Sequence, residues 1–198
     1  YAAVGVHPEE CADWNAEHDI PVLEALAQDP KVRAIGEIGL DYHWPENPPR
    51  ELQQQVFHAQ LDLAEKLNLP VIVHDRDAHH DCLDIVRAHP NVTGVYHCYS
   101  GGVEDAKTLM KLGWMISFTG SITFKNARRA LEVIDLLPLD RMMIETDSPY
   151  MSPEPFRGRR NDSGRVHLVA EAIARRKGLD PEEMARITLE NGKRFFRI

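Results

Sequence analysis

Five residues whose side chains can ligate a metal or move a proton lie in apolar runs of strand length or close them. YAAVGVH ends in His7. VRAIGEIGLDY carries Glu37 just after Ile35 and Gly36. PVIVH ends in His74, TGVYHCY carries His97, and RMMIETD ends in Asp147. A further run, WMISFTG, ends in Thr119 and Gly120 with nothing ionisable. Taken singly, such a histidine reads as structural or surface, and such a carboxylate as a helix cap. Together they form a mixed nitrogen and oxygen set that suits Zn, Mn or a similar divalent ion. They converge if the strands share a barrel, because the C-terminal strand ends of a barrel meet at one mouth. No GxSxG elbow competes, and no GxGxxG or GxxxxGK[ST] follows a strand. Cys98 directly follows His97, and strand alternation predicts that it points away, into the core. The pair His79 and His80 opens a helix and reads as solvent-facing. His18, His58, His89 and His167 share no spacing that suggests a common site.

Apolar runs alternate with segments of helical period along the whole chain. A helical segment near WNAEHDIPVLEALAQD is expected to be interrupted at Pro21 or to begin there. Arg50 to Leu67 reads as a long amphipathic helix striped by Leu52, Val56, Ala59, Leu63 and Leu67. Further helices are expected through CLDIVRAH, from Glu104 to Leu112, through ARRALEVIDLL up to Pro138, and over VHLVAEAIARRKG and PEEMARITLENGKRFF. Strands followed by helices, apolar on both faces, predict an α/β fold with parallel strands. Six such units fit an open sheet or an incomplete barrel. A full (β/α)8 TIM barrel needs about 250 residues. The chain opens at Tyr1 directly on a strand, so two further units of about 30 residues each are expected upstream. The prediction is a single hydrolase-type domain over 1–198, with six of eight barrel strands in the chain and the N-terminal part absent.

The 198 residues hold 23 Lys and Arg against 31 Asp and Glu, a net charge of −8. That disfavours a sequence-independent nucleic-acid coat, which depends on neutralising phosphates. It leaves room for an enzyme that gathers its cations at one place. No apolar run is long enough to span a bilayer and no signal-peptide pattern is seen, so no membrane partner is expected. Cys11, Cys82 and Cys98 are odd in number and widely spaced, which fits thiols in a reducing cytoplasm.

GEIGLDY (36–42), PVIVHDRDA (70–78), YHCYSG (96–101), SFTGSITF (117–124) and ETDSPYMSP (145–153), in this order, resemble the TatD family of metal-dependent deoxyribonucleases. GVHPE near the start and RITLENGKRFF near the end extend the resemblance over essentially the whole chain. It implies an amidohydrolase-like TIM barrel with a divalent metal site, two ions in the complete protein, of Zn, Mn or Mg. It implies Glu37, His74, His97 and Asp147 as metal ligands, with His7 near the site but outside the ligand set. The family's opening HxH motif, which supplies two more ligands, has no match in residues 1–198. In the loop RGRRNDSG, Arg157, Gly158, Arg160 and Asn161 match the family pattern, but Ser163 stands where proline is expected.

The implied reaction is hydrolysis of DNA phosphodiesters, single-stranded or at strand ends, by metal-activated water. Glu37 would bridge two ions, His74 and His97 would hold one of them, and Asp147 would bind the other and accept the proton of the attacking water. Arg157, Arg159, Arg160 and Asn161, with His7, are candidates for substrate contact, since a guanidinium fork matches phosphate oxygens. Ser100 to Gly102 precede a helix whose N–H groups could receive a phosphate. Tyr42 and Trp44 could stack on a base, loop packing being the plainer reading. Two other readings remain open: a hydrolase of a small phosphoester or amide, and an inactive binding subunit.

Overall fold

A computed structural model describes residues 1–198. The chain forms two compact units, Tyr1–Tyr96 with Arg197, and His97–Phe196 with Ile198. Its six strands alternate with helices, each strand parallel to the neighbour found in its own unit, and the fold is α/β of the (β/α)8 barrel type.

In the first unit, β1 (Ala2–Val4), β2 (Val32–Asp41), β3 (Val71–Arg76) and β4 (Gly94–Tyr96) pair in chain order. Between them run α1 (Ala16–Leu26), α2 (Arg50–Leu67) and α3 (His79–Ala88). Ile35, Ile38, Leu40, Val71 and Val73 are fully buried, as a parallel strand covered on both faces requires. The buried face of α2 runs through Val56, Phe57, Leu61, Leu63 and Ala64, while Leu52, Ala59 and Leu67 of the expected stripe are only half-buried. Asn68 ends this helix in the left-handed conformation, at φ 52°. Contrary to expectation, α1 neither breaks nor begins at Pro21 but runs through it. Proline leaves only the carbonyl of Glu17, one helical turn back, without its helical partner, and that residue is exposed to water.

In the second unit, β5 (Met115–Phe118) pairs with β6 (Met142–Ile144), accompanied by α4 (Val103–Lys111), α5 (Arg128–Leu136), α6 (Val166–Lys177) and α7 (Pro181–Phe196). Leu109, Trp114, Ile116, Phe118, Ile134, Ile173 and Met184 form its core. Asn191 explains part of the RITLENGKRFF motif: its Nδ2 donates to the carbonyls of Leu139 and Met142 and so ties α7 to β6.

Candidate metal centre

Glu37 owes its placement to an irregularity in β2. Ile35 aligns with Val71 and Ile38 with Val73, so Gly36 and Glu37 together oppose Ile72 alone. This bulge re-aims the side chain at that point. Glycine is required beside it, since a Cβ on Gly36 would lie 2.8 Å from the Ile72 Cβ. Two residues on, Gly39 has φ 142°, and a Cβ there would lie 2.0 Å from the His74 carbonyl oxygen. Both glycines of GEIGLDY therefore serve the close approach of β2 to the strand that carries His74.

His74 stands between two carboxylates. Its Nδ1 lies 2.9 Å from Glu37 Oε1 and its Nε2 lies 2.9 Å from Asp41 Oδ2. Asp41 is 2% exposed. Its other oxygen accepts from the His43 amide and from Asn47 Nδ2, while Gln53 donates to its carbonyl and accepts from its amide. A carboxylate fixed behind an imidazole in this way sets its tautomer and orientation, as it does behind metal-bound histidines. His7 completes the group, with Nε2 3.6 Å from Glu37 Oε1 and its ring 4.5 Å from that of His74. The Nδ1 of His7 accepts from the Glu9 amide at 3.3 Å, which leaves Nε2 as the ring nitrogen that faces Glu37.

Donor atoms of His7, Glu37 and His74 all lie within 4.8 Å of one another. Two imidazoles and a carboxylate, half-buried, with a further carboxylate behind one ring, fit a divalent ion of the Zn or Mn kind. The triad supports one divalent-metal site. His79, expected to face solvent, instead places Nδ1 2.8 Å from the buried Asp75 carboxylate. His80 is solvent-facing as expected. Burial and the Asp75 carboxylate hold the Cys82 thiol well above its ordinary range, so it stays protonated beside β3.

In the second unit, His97 lies just past β4, with Nδ1 3.3 Å from Glu145 Oε1. Glu145 also accepts from the Cys98 amide. The strand has ended by then: Cys98 takes φ 41°, so alternation no longer governs it, and its Sγ lies 3.4 Å from Thr119 Oγ1 rather than deep in the core. Asp147 sits beyond β6 at φ 54°, in a turn where the Tyr150 amide donates to its carbonyl. Asn161, 4% exposed, donates its two amide hydrogens to the carbonyls of Thr146 and Tyr150, on either side of Asp147. Its amide is thus committed to the shape of this turn. Arg157 lies over the Phe124 ring at 4.2 Å, and Arg160 lines a hollow of about 440 Å³ with Ser148, Pro149 and Asp162.

Asp41 and Glu145 did not emerge from sequence reasoning. The signal available for Asp41 was a second carboxylate four residues past Glu37 in one apolar run. For Glu145 it was an acid two residues before Asp147. Tyr42 takes the plainer of its two readings. Its hydroxyl donates to Asp81 and accepts from Gln54, and burial with the Asp81 charge pushes the phenol up to about 12. Trp44 is 51% exposed.

Residues 1–197 match the family described as TatD related DNase. A metal-dependent hydrolase of Bacillus subtilis, YabD, is 46% identical over 200 residues, which span all of this chain and 78% of that protein. The 3'-5' ssDNA/RNA exonuclease TatD of Erwinia billingiae is 35% identical over 207 residues, covering the whole chain and 78% of the relative. The crystal structure of the TatD homologue YJJV from Escherichia coli superposes with a TM-score of 0.90 at 33% identity, over the full chain and 77% of the other. The chain belongs to the TatD-related DNase family. It is a metal-dependent hydrolase of that type, acting on phosphoester bonds.

Proposed function

We propose that the chain hydrolyses phosphodiester bonds of DNA, single-stranded or at strand ends, and that it does so with two divalent ions. The observation that carries this reading is the convergence of His7, Glu37 and His74, with Asp41 buried behind His74. The Erwinia relative, by its name an exonuclease on single-stranded DNA and RNA, supports the substrate class. Glu37 and His74 are assigned as metal ligands. The same role is assigned to His97 and Asp147 on the motifs YHCYSG and ETDSPYMSP. A bound divalent ion of this kind supplies Lewis acidity at a phosphoryl oxygen and a nucleophile available at neutral pH.

The protein's own groups divide the remaining work. Asp41 holds the His74 ring by its Nε2, leaving Nδ1 turned to the Glu37 side. His7 turns Nε2 toward the site and is assigned to substrate contact rather than ligation. Asp147 is assigned as the group that takes the proton of the attacking water. Asn161, which holds the carbonyls on both sides of Asp147, is a positioning residue for it. Arg157 and Arg160 are assigned to phosphate contacts. The cytoplasm is assigned as the compartment on the odd number and wide spacing of the three cysteines.

The test compares single-stranded DNA with a panel of small phosphoesters and amides, using one metal-loaded preparation. Preferential turnover of DNA is expected. Turnover confined to the small-molecule panel would replace the nuclease reading with that of a small-substrate hydrolase.

A further inference from the structure

The chain is acidic overall, with a net charge of −8, yet some of its segments carry basic charges only. SITFKNARRAL (121–131) holds Lys125, Arg128 and Arg129 with no acid, and FRGRR (156–160) holds Arg157, Arg159 and Arg160 with none. The fold brings the two segments into contact, since the Arg157 guanidinium lies 4.2 Å from the centre of the Phe124 ring. Next to this pair is an open cavity of about 610 Å³. Phe124, Asn126, Arg128 and Arg129 line it, together with Ser100, Ser121 and one acid, Glu132.

The charges of this cavity are placed against the ordinary preference of a helix. Arg128 and Arg129 occupy the first turn of α5, where the helix dipole disfavours cations. That turn has no acid, and its N-cap, Ala127, offers no side-chain acceptor. Glu132 answers only part of the charge: its Oε1 accepts from Arg128 Nε at 3.0 Å. The arrangement becomes favourable when an anion enters. The lining also includes chain that closely follows a residue assigned to the chemistry. Ser100 follows His97 by three positions, and the Ser121 hydroxyl lies 2.9 Å from Thr119 Oγ1, which contacts Cys98.

We infer that this cavity is a subsite for one nucleotide of the substrate strand. The phosphate lies on Arg128, Arg129 and Asn126, and the base lies against Phe124, whose ring Arg157 backs. The inference rests on the nuclease reading and specifies where the strand is held. Its size is that of a small-ligand site. An aromatic face beside cations is how proteins hold single strands without reading their sequence.

The experiment uses the whole chain and two variants, Arg128→Gln/Arg129→Gln and Phe124→Leu. The leucine keeps apolar packing beneath Arg157 while removing the stacking face. Binding of a fluorescently labelled single-stranded oligonucleotide is followed by anisotropy over a range of salt. Hydrolysis of the same oligonucleotide by the metal-loaded wild-type protein is measured alongside. Each variant is expected to weaken DNA binding about tenfold. The double arginine variant is also expected to lower the salt dependence by about one to two released ions. Unchanged affinity and salt slope in both variants overturn the subsite, as does a wild-type protein that does not bind the oligonucleotide. Failure of the metal-loaded wild-type protein to hydrolyse the oligonucleotide that it binds is a different result. It overturns the phosphodiesterase reading itself.

Discussion

Asp41 Oδ2 lies 2.9 Å from His74 Nε2, on the opposite edge of the ring from Glu37. Asp41 therefore sets how His74 presents Nδ1. Asp41→Asn keeps an oxygen for the His43 amide and for Asn47 but loses the charge behind the ring. Metal affinity is expected to fall by about 10–100-fold, with the fold retained. Calorimetric metal titration with a circular dichroism control measures this. Wild-type affinity in Asp41→Asn would show that the contact does not tune the site.

Gly39 makes the approach of β2 to β3 possible. An alanine there would combine a φ of 142° with a Cβ 2.0 Å from the His74 carbonyl oxygen. Gly39→Ala is expected to cost about 3 kcal/mol or more, from backbone strain and overpacking together. Thermal or urea unfolding reads the loss. A variant as stable as the wild type would mean that the two strands can separate at this point without cost.

Asp147 is expected to matter for turnover more than for binding. Asn has the same shape but is a far weaker metal ligand and cannot take a proton. Asp147→Asn should lower kcat for single-stranded DNA by orders of magnitude, while the Kd for the same DNA changes much less. A near-normal kcat would remove Asp147 from both roles.

Away from the site, His58 Nδ1 lies 2.8 Å from His89 Nε2, and His89 Nδ1 faces Asp62 at 3.4 Å. Burial, and then His89, hold His58 below the usual histidine range. A depressed folded pKa means that the unfolded chain takes up the proton first on acidification. The contribution to stability is therefore complete above the unfolded value of about 6.5 and is lost as pH falls below it toward the folded value. His58→Gln should flatten this part of the profile. Melting temperatures of both proteins across that window test it, and identical pH slopes would contradict it.

The apolar runs and their polar ends were readable because burial leaves a pattern along the chain. Arg50–Leu67 is helical over the predicted length, although of the predicted stripe only Val56 and Leu63 are buried, and strands that lead toward His74, His97 and Asp147 are where the runs place them. Strand ends were less legible. TGVYHCY reads as strand to Tyr99, but β4 stops at Tyr96 because Cys98 turns to φ 41°. The bulge at Gly36 and Glu37 depends on pairing with Ile72, far along the chain, so no local period announces it. The contacts of Asp41 with His74, of Asp75 with His79 and of His58 with His89 are likewise products of packing between elements. Sequence spacing alone gives them no signature.

The most direct measurement is metal content together with hydrolysis of single-stranded DNA, made on the wild-type chain and on His74→Ala. The wild-type protein, loaded with Zn or Mn and freed of excess ion, is expected to retain divalent metal and to release nucleotides. His74→Ala should keep its circular dichroism spectrum, lose metal and lose turnover together. Full metal occupancy and wild-type hydrolysis in His74→Ala would contradict the assignment of the centre around Glu37 and His74.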